Sequence, residues 1–243
     1  MKFLDWTFET PEENLACEEA LLDLCEEGRG PEILRFWKPR DYFIVAGYSN
    51  KVQTEIRVET CEKKGVPILR RVSGGGTVVQ GPGCLNYSLI LRIDSHKDFR
   101  TLTQTTSHIM EAHAKALTVI LRPKAEIQAQ GASDLTLGNL KFSGNAQRRK
   151  QKAFLFHGTF LLNFDLPVIE ELLTLPSRRP AYRNDRSHSQ FLTNLNVSSE
   201  NIQEVLIKAW GAGEKFQPAD IPREKIHSLV NEKYSCQEWN FKF

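Results

Sequence analysis

Residues 70–83 read Arg70-Arg71-Val72-Ser73-Gly74-Gly75-Gly76-Thr77-Val78-Val79-Gln80-Gly81-Pro82-Gly83, set between two apolar runs, Val66-Pro67-Ile68-Leu69 and Leu85 to Leu91. Three consecutive glycines are costly to order, because glycine loses the most backbone freedom on folding. They are kept where another group approaches the backbone closely or where φ is positive. Arginines beside free turn amides point to an anionic visitor, since concave runs of backbone N–H groups bind phosphate. A plain hairpin is the competing reading, and a Gly triplet without Arg70 and Arg71 would favour it. The stretch is not a P-loop, because no Lys-Ser/Thr follows at the required spacing, nor is it a dinucleotide fingerprint.

Outward from this stretch the chain is ordinary in bulk. It has 243 residues, 40% hydrophobic and 26% charged, with a net charge of +2. That length suffices for one large domain or two small ones. The small net charge argues against nucleic acid or an anionic membrane as partner. Local basic clusters at Arg148-Arg149-Lys150-Gln151-Lys152 and Arg178-Arg179 read by themselves as solvated faces. The five cysteines (Cys17, Cys25, Cys61, Cys84, Cys236) form no close pair of the kind zinc or a redox dithiol needs. With no apolar signal core near Met1 and no membrane-length apolar run, the expected location is the cytoplasm.

Helices are expected from the Thr10-Pro11-Glu12-Glu13 start to Gly28, and over 54–64, 102–121, 168–175, 202–210 and 222–233. Strands are expected at 33–37, 42–46, 67–71, 86–93 and 153–163. A hairpin over 134–137 and 140–144 turns at Gly138-Asn139. Residues 125–132 read as polar and ill-defined, and 176–189 as a basic loop. Helices mixed with antiparallel hairpins, without a βαβ alternation, indicate an α+β fold in one domain, 1–243.

Three clusters can carry chemistry: the Gly-rich loop with Arg70, Arg71 and Ser73; Asp134 with Lys141 to Gln147; and His157-Gly158-Thr159. Lys141, between apolar neighbours and ahead of Ser143-Gly144, either faces a cleft and meets developing negative charge or points outward as strand lysines usually do. His157 is a general base or a satisfied core histidine. Asp134 holds magnesium, orients Lys141, or begins a strand. No catalytic triad, zinc site or carboxylate pair is visible.

These motifs resemble those of the lipoate–protein ligase A family. Residues 70–79 look like its signature loop, 138–148 its K-x-S-G-x-A segment, 156–163 its HHGTLLLN, and 45–50 its upstream G-x-x-QN element, in the right order over nearly the whole chain. The resemblance implies the α+β biotin/lipoate-ligase catalytic domain, class II aminoacyl-tRNA synthetase-like, with a mixed, mostly antiparallel sheet flanked by helices. It implies activation of lipoate by ATP and magnesium to lipoyl-AMP, without a tightly bound prosthetic group. The acyl group then passes to a lysine of an apo lipoyl domain, such as a 2-oxoacid dehydrogenase acyltransferase subunit or a glycine cleavage H protein. The implied adenylate site is Arg70, Arg71, Ser73, Gly74, Gly75, Gly76, Thr77, Val78, Val79, Asn86, Asp134, Lys141, Ser143, Gly144, Ala146, His157, Gly158 and Thr159, with Lys141 catalytic and Asp134 near magnesium.

Gln80 stands where several relatives carry histidine, and Gly81-Pro82-Gly83 replaces their D-L-G. The chain stops at Phe243, where longer ligases lead into an accessory domain, so a separate small accessory subunit is expected. The alternative of the same fold is an ATP-independent octanoyl or lipoyl transferase acting through a cysteine thioester. Its cysteine would fall near Glu126 or near 178–181, and neither region has one. A third option is a non-catalytic lipoyl-binding protein.

Overall fold

The computed structural model describes residues 1–121 and 126–243. Strand β1 (Lys2–Asp5) is followed by helix α1 (Pro11–Glu26), which starts on a capping box: Thr10 accepts from the Glu13 N–H and the Glu13 side chain answers. That satisfies otherwise orphaned N-terminal donors. Strands β2 (Ile33–Trp37) and β3 (Phe43–Ala46) lie where the two runs flanking the Lys38-Pro39-Arg40-Asp41 turn place them. The helix expected over 54–64 is two pieces, α2 (Val52–Glu55) and α3 (Val58–Lys64). Ile56 between them is extended because its backbone bridges Leu173, so a tertiary pairing overrides the local propensity.

Strands β4 (Ile68–Arg70) and β5 (Val78–Gln80) flank the glycine loop and both pair with β3, the first parallel and the second antiparallel. The loop therefore joins the two edges of a three-stranded sheet. The strand expected at 86–93 belongs to a different sheet and starts earlier, as β6 (Cys84–Arg92). Helix α4 (Leu102–Thr118) follows. The stretch read as ill-defined contains β7 (Ile127–Gln130), paired with β8 (Asp134–Leu137); Ala125 lies outside the described residues. The expected hairpin is β8 with β9 (Leu140–Arg149), and β10 (Ala153–Leu161) returns along β9. The rest of the chain holds α5 (Pro167–Leu172), a short α6 (His188–Phe191) inside the basic loop, α7 (Ser199–Ala209), β11 (Glu214–Lys215), α8 (Arg223–Leu229) and α9 (Gln237–Asn240).

The large sheet runs β11-β1-β2-β6-β10-β9-β8-β7, antiparallel except for the parallel pairs of β1 with β2 and β11. Its two faces follow from the period of two. Leu34, Leu89, Phe154 and Phe156 face α4 and α7, whereas Ile33, Ile90 and Leu155 face α1. Side chains in phase with Leu155 on β10, and with Ile90 on β6, therefore point to the α1 side. This parity directs His157, Thr159, Ser88 and Asn86 toward one region. The small sheet packs with α2, α3 and α5 into a third apolar cluster. No helix among the described residues is long and apolar enough to cross a membrane.

Candidate active site

A cleft of about 1140 Å³ opens where β9, β10 and the α1 side of β6 meet the glycine loop and the basic loop at 176–183. Most of the expected residues converge on it: Arg71, Gly75, Gly76, Thr77, Val78, Val79, Asn86, Asp134, Lys141, Ser143, Gly144, Ala146, His157, Gly158 and Thr159 all line it. Arg70, Ser73 and Gly74 do not.

Arg70 is fully buried behind the loop. Its guanidinium donates to the carbonyls of Gly47, Tyr48, Asn50 and Trp239, and its N–H donates to Asn240 Oδ1. It fixes backbone, so the first arginine of the pair differs in role from the second. Arg71 clamps the loop from inside. Its Nη2 donates to the carbonyls of Gly74 (2.6 Å) and Gly76 (2.7 Å), and its Nε to Ser73 Oγ (3.0 Å). Burial pushes its pKa down to about 10, so it stays cationic at neutral pH. Gly75, held between those carbonyls, has φ +86°. A Cβ on Gly47 would collide with the Gly75 carbonyl, so the 45–50 element and the loop fit only through glycine.

Ser73 instead completes a buried chain. Glu18 Oε2 accepts from His157 Nδ1 (2.6 Å), and His157 Nε2 meets Ser73 Oγ at 2.5 Å. Trp37 Nε1 and Ser88 Oγ donate to the other Glu18 oxygen. Burial alone would raise the Glu18 pKa, but His157, Arg35 and Ser88 together hold it below the ordinary carboxylate value. A Ser–His–Glu array is thus present although the sequence showed none. Ser73 has no exposed surface and does not line the cleft, so the array positions the loop against β10 and offers no nucleophile. Glu18 and Trp37 also line the cleft and are candidate-site residues absent from the sequence-based expectation. The available signal was an acid on the apolar stripe of α1, three residues after Leu15 and four before Leu22.

Lys141 faces the cleft. Its Nζ lies 2.8 Å from Asp134 Oδ1, while the Tyr182 hydroxyl donates to Asp134 Oδ2 at 2.7 Å. Burial, then the Asp134 charge, push the Tyr182 pKa far above its ordinary value. Both Asp134 oxygens are therefore engaged, Oδ1 by Lys141 and Oδ2 by Tyr182. The lysine arm lies across Gly144, where a Cβ would come within 2.8 Å of Nζ and 2.9 Å of Cε. A Cβ on Gly158 would in turn strike Asn145, whose Oδ1 accepts from Tyr87. Gln80, Asn86 and Thr159 close a ring of neutral hydrogen bonds on the cleft wall. Arg178 and Arg179, expected to be a solvated face, line the cleft instead, together with Arg183 of the same loop.

Fold and site together define an α+β protein whose cleft combines a clamped glycine turn, a positioned lysine and further arginines. The family model described as "Lipoyl protein ligase A/B catalytic domain" matches residues 10–211. The chain belongs to this family of lipoate–protein ligases and octanoyltransferases. It is 28% identical to octanoyltransferase LipM of Geobacillus kaustophilus, over 99% of this chain and 98% of that one. It is 27% identical to lipoate-protein ligase A subunit 1 of Thermoplasma acidophilum, over 93% and 90%. A crystal structure of lipoate-protein ligase A bound with ATP superposes with a TM-score of 0.83 at 22% identity, covering 99% of this chain and 98% of that one. A bi-partite lipoate protein ligase of Thermoplasma acidophilum superposes equally, at 0.83 and 22%, covering 99% and 95%.

Proposed function

We propose that this protein is an ATP-dependent lipoate–protein ligase that forms lipoyl-AMP and transfers the lipoyl group to a lysine of an apo lipoyl domain. The observation that carries this reading is a cleft in which Lys141, Arg71 and the glycine turn converge while no cysteine lines it. Of the five thiols, Cys17, Cys25, Cys61 and Cys84 are buried, and Cys236 is partly exposed outside the cleft. Burial pushes Cys84, the one beside the signature loop, up to about 12. A thiol held neutral cannot start a thioester cycle.

In the first step a lipoate carboxylate oxygen attacks the α-phosphorus of ATP and pyrophosphate leaves. The apolar lining from Leu15, Trp37, Val45 and Val78 suits the acyl chain. The amides of the glycine turn and the Arg71 cation suit the phosphates. In the second step the acceptor amine attacks the acyl carbonyl and AMP leaves. The Lys141 cation offsets the charge that develops on carbonyl and phosphate oxygens. Asp134 positions Lys141 and is itself held by Tyr182; it would also be the residue near a magnesium ion, which would offset the phosphate charge. The neighbouring transferases named LipM support a second reading, acyl transfer without ATP.

The deciding measurement is the intact mass of an apo lipoyl domain incubated with this protein, lipoate and Mg-ATP. It is run with and without a second subunit of the Thermoplasma type, and in parallel with an octanoylated donor domain and no ATP. Lipoylation that requires ATP is expected. Transfer from the donor without ATP would overturn the ligase reading.

A further inference from the structure

His96, Asp98 and His108 form a group that the cleft does not use, since none of the three lines it. His96 caps the single-turn helix Lys97–Phe99, Asp98 lies within it, and His108 lies on the second turn of α4. Their ligand atoms are all within 4.8 Å of one another, and no other such group of three occurs among the described residues. His108 Nδ1 is 3.0 Å and His96 Nδ1 is 3.6 Å from Asp98 Oδ2. Tetrahedral coordination at metal–ligand distances near 2.0–2.2 Å puts ligand atoms roughly 3.3–3.6 Å apart, so these separations need only small adjustments.

His96 Nδ1 accepts the Asp98 N–H at 3.2 Å, so binding an ion through Nδ1 exchanges that contact for a metal bond. The turn is held in advance. Thr105 Oγ1 donates to the Asp98 carbonyl (3.3 Å), and Arg149 Nη2 donates to the Phe99 carbonyl (2.6 Å). Buried Phe99 packs against both imidazoles, at 5.3 Å and 5.4 Å between ring centroids.

We propose that His96, Asp98 and His108 bind one transition-metal ion of the zinc class. Two imidazoles and a carboxylate supply three positions, and the partly exposed setting leaves the fourth to water. This donor set is too rich in nitrogen for magnesium or calcium, which take oxygen ligands. A bound ion would tie the entry turn to α4, whose first turns are already joined to β9 through Gln147 and Arg149. The site thus fastens the far end of the strand that carries Lys141.

The test is titration of metal-free protein with Co2+ at pH 7.5, read by visible absorption. A saturable spectrum of tetrahedral type is expected, displaced by Zn2+ and not by excess Mg2+. His108→Asn and His96→Asn should each lose that spectrum while keeping the wild-type circular dichroism. Zn2+ should raise the melting temperature of the wild type and leave both variants unchanged, because a ligand stabilises only a fold that binds it. An unchanged cobalt spectrum in either folded variant would place the ion elsewhere and overturn the proposal. Absence of saturable binding, or displacement by Mg2+, would overturn it too.

Discussion

Lys141 is held by contacts that serve both its chemistry and the fold. Its ammonium pairs with the largely buried Asp134, and removing it leaves that carboxylate with only the Tyr182 hydroxyl as partner. Lys141→Ala should therefore fold with a lowered melting temperature while adenylate formation falls on the order of 10²-fold or more, as loss of a transition-state charge partner does. Pyrophosphate release reports it. Gly144→Ala makes a sharper test. The added methyl meets only the flexible tip of Lys141, so the chain folds, and the lysine is pushed off its position. Activity should drop several-fold with no loss of thermal stability; a variant that adenylates normally would contradict the placement of Lys141. Cys84 supplies the control. With its thiol pushed up to about 12, Cys84→Ala should keep full ligase activity, and the wild-type thiol should resist alkylation at neutral pH.

Between elements, the glycine loop is braced from behind by α9. Trp239 Nε1 donates to the Arg70 carbonyl at 2.8 Å, Arg70 Nε donates to the Trp239 carbonyl at 3.0 Å, and Asn240 Oδ1 accepts the Arg70 N–H at 2.9 Å. Asn240→Ala leaves that buried N–H without a partner, which costs about 1–3 kcal/mol. It also loosens the loop that Arg71 closes from the other side. The expected outcome is a lower urea midpoint with a raised KM for ATP, and a much smaller change in kcat. Local pattern could not reveal this brace, because its residues are about 170 positions apart along the chain. The same holds for the break at Ile56, set by its bridge to Leu173, and for β7, which exists only because β8 lies beside it.

For the molecule as a whole, acid stability is governed partly by His113, buried between α4 and β6 with its Nε2 accepting from Trp210 Nε1 at 2.9 Å. Burial drives its pKa down to about 3 from 6.5. The unfolded chain therefore binds a proton that the fold does not, and stability falls as pH drops from 6.5 toward 3, by up to about 1.4 kcal/mol per pH unit. Urea midpoints measured between pH 7 and 4.5 should show this slope, and His113→Phe should flatten it while lowering stability at pH 7. The sequence determined the α+β class, most strands, the capped first helix and the motifs that line the cleft, because periodicity, caps and glycine runs are local properties. It also supplied the parity that turns His157, Thr159 and Asn86 toward one side, since alternation on a strand needs no partner. Tertiary structure alone decided that Arg70 braces while Arg71 lines, and that Ser73 is sealed against His157 and Glu18. It alone put Tyr182 on Asp134, and it placed β4 and β5, which flank the glycine loop, in one sheet and β6 in the other. Each of these depends on which distant backbone or side chain satisfies a buried polar group, and that is fixed only when the whole chain has packed.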